Sequence, residues 1–207
     1  MRPLLLVLVL IAGGVLVATL IFYFIPKNLT QSSTHLIENA DARSKQEQTS
    51  FGLSASPAGR PVRLTIPGIN VDAVVEYVGL TPDGAMDVPK SPDEVAWYER
   101  GQRPGEKGSA VIAGHYGRWE NGQGSVFDDL HKLRKGDELS VTDDRGATTT
   151  FVVRESRRYD PAADAADVFG SSDGGAHLNL ITCDGVWNET QNSYSDRLVI
   201  FTDKETE

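Results

Sequence analysis

From residue 60 onward the chain is a succession of short apolar or alternating runs separated by Gly, Pro, Asn and Asp. Runs of this length with such boundaries are typical of β-strands, and many of them in one domain indicate a barrel or a sandwich. Residues 126–132 and 161–168 have the pattern of short helices. We therefore predict an all-β domain whose strands are Val62–Ile66, Val71–Val78, Ser109–Ala113, Glu138–Thr142, Thr148–Arg154, His177–Cys183 and Asp196–Thr202.

One of these runs, His177–Cys183, leads to the only cysteine of the chain. Polar and apolar residues nearly alternate along it, as in a strand with one buried face. Asp184 and Gly185 follow and predict a turn, which would place the Cys183 thiol at the end of a strand. Free cysteines are often buried and inert, and this run alone favours that interpretation.

The first 26 residues have the pattern of a membrane anchor. No residue from Leu4 to Ile25 is charged, and about 20 apolar residues suffice to span a bilayer as a helix. A cleaved signal peptide is the alternative, but its apolar core is usually about 7–15 residues long. We predict an uncleaved, single-pass helix with a short cytoplasmic end and all later residues outside the cell membrane.

The rest of the chain divides at about residue 60. Residues 27–59 are rich in Ser, Thr, Gln and Asn and contain few large apolar residues, so they predict a flexible polar tether. Residues 60–207 have the composition of one folded domain. The predicted organisation is an anchor over 1–26, a tether over 27–59 and an extracytoplasmic β-domain over 60–207.

Charge and cysteine content narrow the range of possible functions. The chain has 29 Asp and Glu against 20 Lys and Arg, a formal net charge of −9, which argues against a nucleic-acid partner. A single cysteine cannot form an internal disulfide. In an extracytoplasmic chain such a residue is a candidate reactive thiol, and this shifts the interpretation of Cys183 towards chemistry.

A nucleophilic thiol needs a proton-transfer partner and a group that stabilises a developing oxyanion. His115 is the candidate partner because it follows Gly114 directly after the predicted strand Ser109–Ala113. Arg197 is the candidate oxyanion donor, because it begins the last predicted strand and would lie beside Cys183 if the two strands pair. Each of these residues could instead be an ordinary structural or solvent-facing side chain.

The other three histidines are poorer candidates, and no metal or cofactor motif is present. His35 belongs to the tether and His131 lies among charged residues. His177 precedes Cys183 by a stretch of strand roughly 20 Å long. One cysteine and scattered histidines give no metal-ligand spacing, so we expect neither metal nor cofactor.

These residues resemble the sortases, the membrane-anchored cysteine transpeptidases of Gram-positive bacteria. Leu180–Cys183 matches the TLxTC signature of that family, with Asn179 in place of the first Thr. The resemblance continues in Ala113–His115 and in Arg197. Residues 116–124 are polar and unlike the family pattern. Three further segments resemble class F, actinobacterial-type, sortases: Arg63–Ile69, Pro104–Ser109 and Val126–Leu130.

The resemblance implies a sortase-type eight-stranded β-barrel with one or two short helices, and a cysteine transpeptidase or hydrolase activity. The implied reaction cleaves an LPxTG-like sorting signal between Thr and Gly through a thioester acyl-enzyme. Cys183 would be the nucleophile, His115 the proton donor to the leaving amine, and Arg197 the oxyanion donor. The implied partners are secreted proteins that carry the signal and an amine acceptor such as a peptidoglycan precursor.

Two other classes remain open from the residues alone. An L,D-transpeptidase also has His before Cys on a β-rich domain, but its Ser-His-Gly-x-x-Cys signature is missing here. The NlpC/P60 peptidases have the reverse order. A non-catalytic extracytoplasmic β-domain would not require His115, Cys183 and Arg197 to converge.

Overall fold

The computed structural model describes residues 58–119 and 121–206. The predicted anchor, and the predicted tether up to residue 57, lie outside these residues. Among the helices of the described residues, none has both the length and the apolar character needed to cross a bilayer. The strands are β1 (Pro61–Ile66), β2 (Val71–Val78), β3 (Val95–Tyr98), β4 (Gly108–Gly114), β5 (Glu138–Asp143), β6 (Thr148–Tyr159), β7 (Ala176–Asn188) and β8 (Ser193–Lys204).

The eight strands form one closed barrel in the spatial order β1-β2-β3-β4-β7-β8-β6-β5, and β5 pairs with β1 to complete the ring. The β2–β3 and β4–β7 pairs are parallel, and the other six pairs are antiparallel. The predicted all-β, eight-stranded barrel is therefore confirmed.

Strand β3 is the element that the sequence pattern missed. Its four residues are buried or nearly so, because both faces of the short strand are covered. A run buried on both sides has no alternation of apolar and polar residues by which to recognise it. A four-residue apolar run is also too short to separate from a loop by pattern alone.

The predicted turn at Asp184–Gly185 is wrong. Strand β7 continues to Asn188, and the register with β8 shifts between Asp184 and Trp187. Gly185 has φ +85°, a left-handed conformation that favours glycine, so it forms a bulge within the strand. Cys183 therefore lies just before an irregularity in a long hairpin and does not end a strand.

The two segments expected to be helical contain only short helices. Residues 126–132 include one 3₁₀ turn at Leu130–Lys132. Residues 161–168 overlap a single α-helical turn, α1, at Ala166–Phe169. A second 3₁₀ turn, Pro67–Ile69, joins β1 to β2.

The barrel encloses the main hydrophobic core. Each large apolar side chain that is fully buried there stabilises the folded state by about 1.5–3 kcal/mol relative to an exposed one. A second, smaller cluster lies on the outside of the barrel, where Val168 of α1 packs with Val111, Val199 and Phe201. The largest side chains with no more than 1% exposure are Phe127, Phe151, Leu64, Ile66, Ile112, Leu130, Leu139, Leu178, Leu180 and Ile200.

Contacts with the barrel begin before the first strand. The backbone N–H of Gly59 donates to Asp143 Oδ2 at 2.8 Å, and that of Arg60 donates to Asp144 Oδ1 at 3.1 Å. Arg103 Nη1 donates to the Ala58 carbonyl at 2.8 Å. These bonds fasten residues 58–60 to the β5–β6 turn and to the loop before β4.

Candidate active site

Strand register brings the three predicted site residues together. Strand β7 lies between β4 and β8. Cys183 on β7 pairs directly with Arg197 on β8. On the other side of β7, Ala113 of β4 pairs in parallel with Ile181. His115 comes two residues after Ala113 and Cys183 two residues after Ile181, so these two residues lie at the same level of the barrel. Cys183 therefore lies between the positions of His115 and Arg197.

The three side chains line one cavity of about 540 Å³. One part of its wall is apolar and includes Met86, Tyr98, Ile181 and Val199. The remainder comes from the loop after β2, the end of β6 and the segment that leads into α1. A cavity of this size and lining is suited to an extended peptide with apolar side chains.

The Cys183 thiol is half-buried, and two influences on its pKa oppose each other. Burial raises the pKa because the thiolate loses hydration, and the positive charge of Arg197 lowers it. Burial is the larger influence, so the pKa lies above its ordinary value. The thiol is therefore protonated at neutral pH in the unliganded protein and needs a base to become a nucleophile.

The His115 ring is oriented by a backbone carbonyl and by an aromatic side chain. Its Nε2 lies 2.7 Å from the Pro89 carbonyl oxygen. A carbonyl only accepts hydrogen bonds, so Nε2 carries a proton and Nδ1 is left for proton exchange at the reacting centre. The Trp119 ring meets the imidazole edge-to-face with centroids 5.2 Å apart. Both contacts restrict rotation of the imidazole.

The backbone at His115 is fixed by close packing. A Cβ on Gly114 would collide with the Phe127 ring, so only glycine fits before the histidine. The Phe127 N–H donates to the His115 carbonyl at 3.1 Å. Thr182 Oγ1 donates to the Gly114 carbonyl at 2.8 Å and joins the histidine strand to the residue next to Cys183.

The guanidinium of Arg197 is held by the hairpin that carries it. Nη1 donates to the carbonyls of Tyr194 at 3.2 Å and Asp196 at 3.0 Å, and Nη2 donates to Ser193 Oγ at 3.1 Å. Strand β8 begins at Ser193, so Arg197 lies within the strand and does not begin it as predicted. The fixed geometry suits a donor that must be in place before negative charge develops.

The remaining described histidines do not reach the cavity. His177 is buried and bonds to Asp203 Oδ1 at 2.8 Å and Asp173 Oδ1 at 2.9 Å. His131 is exposed and contacts the Asp128 carbonyl. Both positions agree with their exclusion as catalytic candidates.

Four contacts around the site were not predicted from the sequence. Pro89 and Trp119 contact His115 from loops, and a loop residue has no periodic signal that would place it. Thr182 stands next to the cysteine, but its hydrogen bond across to β4 depends on the parallel β4–β7 pairing. Asn179 is fully buried, and its Nδ2 donates to the Val168 carbonyl at 2.6 Å, so it fastens α1 to β7.

Comparison with known proteins agrees with the fold. The chain is similar to sortase C-1 from Actinomyces oris, with 24% identity over 71% of this chain and 76% of that one, and a TM-score of 0.56. It is similar to sortase C from Clostridium perfringens SM101, with 21% identity over 73% of each chain and a TM-score of 0.52. A lid mutant of sortase A from Corynebacterium diphtheriae gives 21% identity over 72% of this chain and 73% of that one, with a TM-score of 0.53.

At these identities the structures show the fold alone. No curated protein matches the chain. A family model described as the sortase domain matches residues 64–205, which is most of the chain. The L,D-transpeptidase and non-catalytic alternatives are not favoured by this match. The chain belongs to the sortase family and is a cysteine transpeptidase that processes sorting signals.

Proposed function

We propose that this sortase cleaves an LPxTG-like signal between Thr and Gly and joins the new carboxyl end to an amine. The observation that carries the proposal is that Cys183 lies between His115 and Arg197 on the wall of one cavity. The apolar wall next to Cys183, formed by Ile181, Val199 and Met86, suits the Leu and Pro of such a signal.

In the first half-reaction, the sulfur of Cys183 attacks the Thr carbonyl carbon, and the thiol proton passes to His115. Arg197 stabilises the oxyanion of the tetrahedral intermediate. The C–N bond then breaks as His115 gives the proton to the departing Gly amine, which leaves a thioester on Cys183.

In the second half-reaction, the acceptor amine attacks the thioester carbonyl and gives its proton to His115. The C–S bond breaks, the sulfur leaves, and the proton returns to Cys183. The product is a new amide, and the enzyme is restored. We propose a peptidoglycan precursor, or an amine of another protein, as the acceptor.

The proposal also covers the class of sortase and the cellular location of the enzyme. The segments Arg63–Ile69, Pro104–Ser109 and Val126–Leu130 support class F. The uncharged run Leu4–Ile25 supports a single-pass membrane anchor in a Gram-positive cell, with the barrel outside. In that position the enzyme would meet secreted substrates and the cell wall.

Mass spectrometry of the purified full-length chain tests the reaction. Incubation with a peptide that contains Leu-Pro-Ala-Thr-Gly should add the mass of the fragment ending in Thr to Cys183, and an added amine should release that fragment as an amide. Cys183→Ala should form no adduct, whereas His131→Gln, at an exposed position, should react as the wild type does. Absence of any adduct on the wild type, with this peptide and its single-residue variants, would contradict the proposal.

A further inference from the structure

One peptide group joins the catalytic histidine to a carboxylate on the barrel. The Pro89 carbonyl accepts the hydrogen bond from His115 Nε2 at 2.7 Å. The N–H of the same peptide group belongs to Lys90, and it donates to Glu76 Oε2 at 3.3 Å. The Pro89–Lys90 peptide therefore bonds to the imidazole at one end and to Glu76 at the other.

The two ends of this peptide group are electrically coupled. In a trans peptide the C=O and N–H point in opposite directions, and both share the delocalised electrons of the amide. A carboxylate at the N–H end increases the negative charge on the carbonyl oxygen, because successive hydrogen bonds polarise one another. The Pro89 oxygen then becomes a better acceptor for the Nε2–H of His115 than an isolated carbonyl would be.

Glu76 is well placed to hold the loop. It lies half-buried near the end of β2, where it pairs with Ala96 of β3, so its backbone belongs to the barrel. Proline itself has no N–H to anchor, so the Lys90 N–H is the donor of the peptide group that carries the Pro89 carbonyl. The bond from Lys90 to Glu76 therefore sets the direction in which the Pro89 carbonyl points.

A second carboxyl group lies beside Glu76. Glu94 bonds to Glu76, and this bond, followed by burial and by the charges of Glu76 and Asp93, raises the pKa of Glu94. The positive charge of Lys90 acts on Glu94 in the opposite direction, so Lys90 lies close to the same carboxyl pair.

We propose that Glu76 is a positioning residue for His115 and acts through the Pro89–Lys90 peptide. Glu76 orients the ring through that peptide, much as a carboxylate does when it bonds directly to a catalytic histidine. This inference rests on the proposed role of His115 as the proton donor. The other charged or titratable groups on the cavity wall are Cys183, Arg197, Asp87, Asp160, Tyr98 and Tyr159, and Lys90 lies next to Glu76 and Glu94.

The test compares kcat and KM for peptide cleavage by full-length wild type, Glu76→Gln and Asp72→Asn. Asp72 is an exposed carboxylate on the same strand and face as Glu76, and it pairs with Arg63 away from the cavity. Glu76→Gln should lower kcat about tenfold with KM little changed, because a neutral amide holds the Lys90 N–H less firmly than a carboxylate does. Asp72→Asn should keep the wild-type kcat and KM.

A backbone variant tests the same path without touching Glu76. Lys90→Pro removes the donor N–H, and Lys90→Ala, which keeps it, is the reference for side-chain loss. The kcat of Lys90→Pro should be lower than that of Lys90→Ala by the same factor that separates Glu76→Gln from wild type. The kcat of the double variant Glu76→Gln/Lys90→Pro should be no lower than that of either single variant.

Each outcome decides the inference. A normal kcat in Glu76→Gln, with active wild type, would overturn the positioning role and leave the proposed reaction intact. Additive losses in the double variant would also overturn it, because the two changes would then act separately. Inactive wild type would instead refute the proposed function. If Glu76→Gln fails to fold, the comparison of the two Lys90 variants decides alone.

Discussion

At the residue scale, Arg197 has two separable effects on Cys183. Its fixed guanidinium is a hydrogen-bond donor beside the thiol, and its charge opposes the effect of burial on the thiol pKa. The first effect matters in the transition state and the second in the unliganded enzyme. The second can be measured without any substrate.

Arg197→Gln should therefore raise the pKa of Cys183 further above its ordinary value, because burial would then act unopposed. The thiolate fraction at a given pH falls, so the pH dependence of alkylation by iodoacetamide should move to higher pH. Arg63→Gln, at an exposed site on β1, is the matched control. An unchanged alkylation profile in Arg197→Gln would show that the charge does not reach the thiol.

The three site residues were proposed from residue type together with position relative to the predicted strands. The chain has one cysteine, and only one histidine directly follows a predicted strand and a glycine. The contacts that tune these residues could not be predicted in the same way. The bond from His115 to Pro89 spans 26 positions and joins two loops, whose relative placement depends on the closed barrel.

At the element scale, β4 determines where His115 lies. The strand ends at Gly114 against the Phe127 ring, and the parallel pairing with β7 fixes the level of the histidine relative to the cysteine. A displacement of this strand end would move the imidazole with it.

Gly114→Ala should destabilise the protein by about 1–3 kcal/mol, because the new methyl group overlaps a fully buried ring. Cleavage activity should fall as well, since relief of the overlap moves His115. Gly68→Ala is the control, because its nearest neighbouring atom would lie 3.9 Å away. Urea unfolding and peptide cleavage measure the two effects, and wild-type values for both in Gly114→Ala would contradict the assigned role of the packing.

Seven of the eight strands could be predicted because turn residues separate apolar or alternating runs that are longer than four residues. Strand ends were less predictable than strand positions. Strand β7 passes through Asp184–Gly185 because a glycine with positive φ can form either a turn or a bulge, and only the partner strand decides between them. The same hairpin extends β8 back to Ser193.

At the scale of the whole molecule, His177 connects three parts of the fold. It lies on β7 and bonds to Asp203 on β8 and to Asp173 in the segment after α1. Arg154 of β6 also donates to Asp203, at 2.8 Å. Burial alone would lower the pKa of His177, but the bonds to Asp173 and Asp203 outweigh burial, so the pKa is raised.

This raised pKa predicts how stability depends on pH. The contribution of protonated His177 is complete below the unfolded value of about 6.5 and is lost as the pH rises through the folded value. Asp173 has a lowered pKa, so its own contribution is lost only in strong acid. Urea unfolding of wild type and His177→Asn should show a stability difference that is larger at about pH 6 than at about pH 9.

His131→Gln should follow the wild-type curve, because His131 is exposed and bonds only to a neighbouring carbonyl. A stability difference for His177→Asn that is the same at every pH would mean that folding does not change the pKa of His177. The effect would then come from packing alone.

The closed ring of strands limits how a peptide substrate can be recognised. Every strand of the described barrel has a partner on each side over part of its length, so a sorting signal finds only short stretches of free strand edge, such as the end of β7. Recognition by edge addition draws affinity from main-chain hydrogen bonds that any sequence can make. A peptide bound here must therefore depend mainly on pockets for individual side chains and on the loops around Cys183. Sequence selectivity should therefore be strong relative to affinity, and exchange of those loops between sortases should transfer selectivity while the barrel stays the same.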